Sequence, residues 1–240
     1  MMKQISLIGL WLAFVLYAFI LAPPDQADTL GLIQRLSTGD WQGINPIIVA
    51  LFNGMGIWPM VYASLMLMDG QGQKLWAWPF VVASFAVGAF ALLPYLAFRQ
   101  PNPGFPGPKS SLIRLLDSAW LGAVLSAGAI ALFGWALVQG DWADFWQQWQ
   151  TSRFIHVMSL DFCALWLLFP LLLADDLARR GLSQRWIIPV VLALPLMGAC
   201  GYLALTPSPH HPITPLPVAD SEPAGQKLAP GDRPGLQGDR

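Results

Sequence analysis

Four residues of this chain have types and positions that could do chemistry in an apolar setting: Asp161, His156, Arg153 and Asn53. Three of them share one run, Thr151 to Asp176, which is long and apolar enough to cross a bilayer. A charge at that depth costs about 2.5–3.5 kcal/mol even on lenient insertion scales, so Asp161 must face a partner or a wet cavity and not lipid. A carboxyl group so placed either fixes helix register through a hydrogen bond or carries a proton, and the first role is the simpler one. His156 lies five residues away on a different side of the helix, so the expected partner of Asp161 is a polar residue of another span, Asn53 or Ser84. The chemistry ends there. His156 is the only histidine within an apolar run, so two in-membrane histidines cannot hold a haem. One His and one Asp fall short of a metal site or a catalytic triad. His210 and His211 belong to a Pro-rich tail and read as solvated. No catalytic, nucleotide or metal motif occurs, so neither an enzyme nor a cofactor is expected.

The elements that must position these residues follow from composition. The chain has 240 residues, 55% hydrophobic and only 11% charged, with 12 Trp and a mean hydropathy of +0.51, whereas soluble domains carry roughly 25% charge. An all-α polytopic membrane protein is the class this implies. With about 20 apolar residues needed per span, six runs qualify, at about 5–22, 46–68, 79–98, 119–138, 154–174 and 186–205, followed by a disordered tail at 206–240. The first run is longer than a signal-peptide core and lacks a good cleavage context, so it reads as a span. The second starts at Asn45-Pro46, a capping residue before a first-turn proline. Its Asn53, Gly54, Gly56 and Pro59 predict a local kink, or a broken helix lining a site. Cys163 and Cys200 lie within spans, where cysteine behaves as a small buried hydrophobe. The net charge of −1 excludes a nucleic-acid partner.

Between the spans, short surface helices are expected near 29–38 and 110–116. Trp142, Phe145, Trp146 and Trp149 form one helical face suited to the membrane interface. Ser84, Gly88, Ala123 and Ala127 make small faces on which helices can approach closely, so burial is expected for all four. With six spans, Arg35, Arg99, Lys109, Arg114, Arg179, Arg180 and Arg185 share one side and Lys3, Lys74 and Arg153 the other. The positive-inside rule then places the N-terminus outside the cytoplasm. Lys3 before the first span and Asp25 and Asp28 after it argue locally for the opposite.

Arg153-Phe-Ile-His-Val-Met-Ser-Leu-Asp-Phe-Cys, with the later Ala-Asp-Asp-Leu-Ala-Arg-Arg, resembles the signature segment of an uncharacterised multi-pass membrane family of cyanobacteria and plastids. The likeness extends to Ile44-Asn-Pro and Pro94-Tyr95 and stops before the tail. It implies a bacterial inner or thylakoid membrane and no particular activity. The expectation is a non-catalytic assembly or accessory factor that contacts lipid and binds other integral membrane proteins. The alternative is a small transporter or ion-handling protein centred on Asp161.

Overall fold

The computed structural model describes residues 2–104, 109–182 and 186–206, and every regular element among them is a helix. Arg185 and the tail from residue 207 on, with His210 and His211, lie outside the described residues. Helix α1 (Met2–Leu16) widens into one π-type turn at Tyr17–Leu21 before Pro23-Pro24. Short α2 (Thr29–Thr38) ends where Gly39 turns left-handed at φ 82°. Long α3 (Pro46–Asp69) starts as expected, with the Asn45 side chain accepting the Ile47 N–H at 3.1 Å. It stays one helix through Asn53 and Pro59. Gly54 is there for space, because a Cβ would come within 3.1 Å of Phe133 and Phe162. Then come α4 (Ala77–Val87), α5 (Ala89–Phe98), surface helix α6 (Ser111–Leu116) and α7 (Ala119–Gln139). After them lie α8 (Trp142–Thr151), α9 (Arg153–Leu168), α10 (Pro170–Arg179), α11 (Ile187–Ala193) and α12 (Met197–Leu205).

Four stretches are long and apolar enough to cross a membrane: Met2–Leu21, Pro46–Asp69, Ala119–Gln139 and Arg153–Arg179. The other two apolar runs are folded back on themselves. In the run at 79–98, Gly88 adopts φ 50° and ψ −126°, the first central position of a tight type II′ reversal, which glycine fills without strain. The halves α4 and α5 lie side by side, with Phe80 5.6 Å from Tyr95. Both outer ends sit at the C-terminal end of α3: a Cβ on Gly70 would be 2.6 Å from the Ala77 Cβ, and Arg99 bonds Asp69. With ten residues, α5 rises about 15 Å, half of a hydrocarbon core of about 30 Å.

The run at 186–205 does the same. Pro195 lacks an N–H, Leu196 sits at φ 62°, and Met197 N–H bonds the Pro195 carbonyl at 2.7 Å. Gly198 lies against Val191 across the reversal. Helix α12 then returns to the end it came from, where Tyr202 donates to Asp176 at 2.7 Å and the Ala204 backbone packs on Gly122. Among the described residues the fold is thus four long helices with two hairpins of shorter helices whose open ends lie at one end of the bundle, not six equivalent helices.

Helix α3 is the hub. Trp58 and Tyr62, both fully buried, meet Phe169 at ring distances of 5.8 Å. Tyr62 also donates to the Leu165 carbonyl at 2.6 Å, tying α3 to α9. Three expectations need correction. Ser84 and Gly88 are buried, but Ala123, Ala127 and Ala131 face outward. The packed stripe of α7 is Gly122, Leu125, Ala129 and Ala136, because α12 approaches it at Gly122 and α3 at Ala136. Cys163 is exposed, while Cys200 is buried as expected. The aromatic face of α8 is divided: Trp142 and Trp146 point outward, whereas Phe145 and Trp149 pack against the protein.

Candidate functional site

Asp161 sits on α9 eight positions after Arg153, about 12 Å along the helix, and the tip of the first hairpin meets it there. One carboxylate oxygen accepts the Ala89 N–H at 2.8 Å. Ala89 is the first residue of α5, so its N–H has no partner within the helix, and the N-terminal end of the helix dipole favours a negative group. The other oxygen rests on Gly88, where a Cβ would be only 1.8 Å away. Gly88 is therefore demanded twice, by its backbone angles and by the carboxylate. Among the described residues Asp161 has no further hydrogen-bond partner.

A cavity of about 680 Å³ has this buried carboxylate in its lining. Trp11, Phe52, Met55, Phe85 and Phe90 form much of its wall, and Asp25 and Arg153 stand near its rim. Its position follows from the packing of α1, where Trp11 donates to the Phe90 carbonyl at 2.9 Å and Phe14 stacks on Phe90 at 4.3 Å. In the π-type turn that follows, the Ala22 N–H reaches back five residues to the Tyr17 carbonyl at 2.8 Å, and Ala18 and Phe19 of this turn line the cavity.

The other expected residues have different duties. His156 is buried and bonded at both ring nitrogens, to the Tyr17 hydroxyl at 2.8 Å and the Trp149 carbonyl at 2.9 Å, with the Trp149 ring 4.1 Å away. It ties the ends of α1, α8 and α9 together and keeps no nitrogen for a ligand. Arg153 donates from Nε to the Pro23 carbonyl at 3.0 Å and from its backbone N–H to that of Pro24 at 3.2 Å. Asn53 and Ser84 do not partner Asp161: each bonds a carbonyl of its own helix, Val49 at 2.8 Å and Val81 at 2.7 Å. The partner comes instead from a freed backbone N–H, which residue types cannot announce.

At the hairpin-insertion end lies a second polar constellation, built from residues that in the sequence look like ordinary loop charges. Asp69 accepts from the Tyr95 hydroxyl at 2.7 Å, from Arg99 Nε at 2.8 Å and from Arg99 Nη2 at 2.5 Å. Arg99 also pairs with Asp175, and Arg179 reaches Asp176 at 3.2 Å and Asp69 at 3.4 Å. Arg180 bridges Asp176 and Asp117, each at 2.6 Å, and Lys109 closes on Asp117 at 2.6 Å. Four carboxylates thus balance four cations. Burial alone would lower the pKa of Arg99, but the hydrogen bond and charge of Asp69, with those of Asp175, outweigh it and hold the guanidinium above its ordinary range. The network joins α3, both hairpins, α10 and the segment around α6, through Lys109 and Asp117.

No group of His, Cys, Asp or Glu among the described residues is arranged to hold a metal ion. No protein-family model, no curated protein and no solved structure matches the chain.

Proposed function

We propose that the chain is a multi-pass integral membrane protein with four spans and two re-entrant hairpins, working as a small transporter in which Asp161 carries the transported ion or a coupled proton. One observation carries this reading: a buried carboxylate, the N-terminus of a broken half-helix and a cavity meet at mid-depth. Irregular backbone is tolerated at membrane depth where protein or a cavity covers it, and transporters build substrate sites from such broken helices. Beyond Asp161, the buried Trp58, Tyr62, Phe169 and the ion-pair network fill the path to the hairpin-insertion end. A site open on one side and sealed toward the hairpin-insertion end is one half of an alternating-access cycle.

The charges agree with this arrangement. With both hairpins returning to the side they leave, Lys3, Lys74, Arg99, Lys109, Arg114, Arg179 and Arg180 share one side, and Arg35 and Arg153 the other. The positive-inside rule then places the N-terminus and the ion-pair network in the cytoplasm. Lys3 and the Asp25/Asp28 pair, at odds with the six-span count, fall into line. Single cysteines replacing Lys74 and Ser110, in a chain with Cys163→Ser and Cys200→Ala, are expected to label from the same side, and Asp40→Cys from the other. Six spans require Lys74→Cys and Ser110→Cys to label from opposite sides.

The transport reading has its own test. Proteoliposomes loaded with a pH-sensitive dye, clamped in voltage and given a pH jump, are expected to lose the gradient faster with wild type than with Asp161→Asn. Equal rates for the two proteins would remove the coupled proton from Asp161 and leave it only the transported ion. The assembly-factor reading draws on the outward small-residue stripe Ala123, Ala127 and Ala131, which leaves a face of α7 open to another membrane helix. It makes no use of the geometry at Asp161. The resemblance of the Arg153–Cys163 segment supports a photosynthetic membrane as the location.

A further inference from the structure

We infer that the cavity at Asp161 binds a hydrophobic organic cation that enters sideways from the bilayer; this rests on Asp161 being the working group of the site and names the class of its substrate. Four features of the cavity lead there. Its lining holds a buried carboxylate with no cationic partner among the described residues. Its walls are aromatic and thioether side chains, among them Trp11, Phe52, Phe85, Phe90 and Met55, and the faces of such rings attract cations, most strongly where water is excluded. At about 680 Å³ it lies within the usual span of about 300–1,000 Å³ for sites of drug-sized molecules. Its edge includes Phe19, Phe85 and Val87, which are 71%, 54% and 47% exposed. Phe19 lies in the first span and the other two at the tip of the half-depth hairpin, so this side of the cavity faces lipid.

Other ligand classes fit less well. An inorganic cation needs several oxygen ligands, and among the described residues lining the cavity the only carboxylates are Asp161 and the exposed Asp25. An anion would meet Asp161 where the Ala89 N–H is already engaged, and the one cationic side chain among the described lining residues, Arg153, stands beside Asp25 near the rim. A neutral apolar molecule would leave the carboxylate without a countercharge. At the rim Asp25 stands with Arg153, whose Nε is held by the Pro23 carbonyl, so the entrance carries no net charge against a cation.

The test uses full-length protein in lipid nanodiscs, with empty nanodiscs as the partition control. Tetraphenylphosphonium is the probe, and tetraphenylborate is its counterpart of similar shape and opposite charge. Equilibrium dialysis is expected to show saturable binding of tetraphenylphosphonium and none of tetraphenylborate. Affinity for the cation should fall at least tenfold in Asp161→Asn and several-fold in Phe85→Leu, whose side chain is exposed and whose loss leaves the core intact. Equal cation binding by wild type and both variants, or equal binding of the two probes, would overturn the inference. Asp161-dependent proton flux without cation binding overturns it while leaving the transport reading standing. Asp161-dependent cation binding without proton flux supports it and removes the coupled proton.

Discussion

Asp69→Ala is expected to be among the most destabilising single changes in this protein. The side chain is fully buried and accepts hydrogen bonds from Tyr95, Arg99 and Gln73, with Arg179 at 3.4 Å. Removing one partner of a buried ion pair costs about 3–5 kcal/mol, because the remaining charge is left in a poorly solvating place. Here two guanidiniums are affected, and each keeps only part of its company, Arg99 with Asp175 and Arg179 with Asp176. The comparison is Asp40→Ala, which breaks the Arg35–Asp40 pair, with side chains 41% and 56% exposed. A pair so well solvated contributes about 0–1 kcal/mol. Thermal unfolding in detergent should therefore show a large loss for Asp69→Ala and almost none for Asp40→Ala; similar midpoints for the two would mean that the network is solvated and structurally idle.

The same network explains which parts of the fold could be read in the sequence. Hydropathy marks every apolar run, and the starts of α3, α6 and α8 are legible because Asn45, Ser110 and Asp141 each cap a helix with a side-chain oxygen. Hydropathy carries no direction, however, so a run of some 20 apolar residues that reverses halfway looks like one that crosses. The signals for reversal were present, namely Gly88 in the middle of one run and Pro195 in the middle of the other. Each has an innocent reading, since both residue types are common in membrane helices. On the proposed four-span arrangement the conflict between Lys3 and the remaining charges is a further clue, because moving only one run from crossing to re-entrant regroups the charges on either side.

The candidate site was half legible for a related reason. Asp161 stands out because its type is costly where it sits, and the structure does place it at a cavity. His156 and Arg153 stand out equally, yet they fasten α8 and the Pro23-Pro24 segment around the entrance. What Asp161 pairs with is a backbone N–H exposed by a break in a helix 72 positions away. Similarly, Asp69, Asp117 and the Asp175/Asp176 pair occur at helix ends, where solvated charges are ordinary. Only the return of both hairpins to that end buries them together.

Gly88 is where hairpin and carboxylate depend on each other, and it gives the second large effect. In Gly88→Ala the new methyl group meets two separate obstacles. The backbone at φ 50° and ψ −126° is a region that side-chain-bearing residues rarely enter, at a cost of about 1–3 kcal/mol. The Cβ would also lie 1.8 Å from an Asp161 oxygen, so the carboxylate must move off the Ala89 N–H. A buried donor left unpaired costs about 1–3 kcal/mol more, which makes the expected loss about 2–6 kcal/mol in total. A double-mutant cycle separates the two parts. In an Asp161→Ala background the collision disappears and only the backbone strain remains, so Gly88→Ala should cost about 1–3 kcal/mol less than it does in wild type. Denaturant titration in detergent measures all four proteins. An identical cost in both backgrounds would show that the hairpin tip does not rest on Asp161, and the site would lose the contact that defines it.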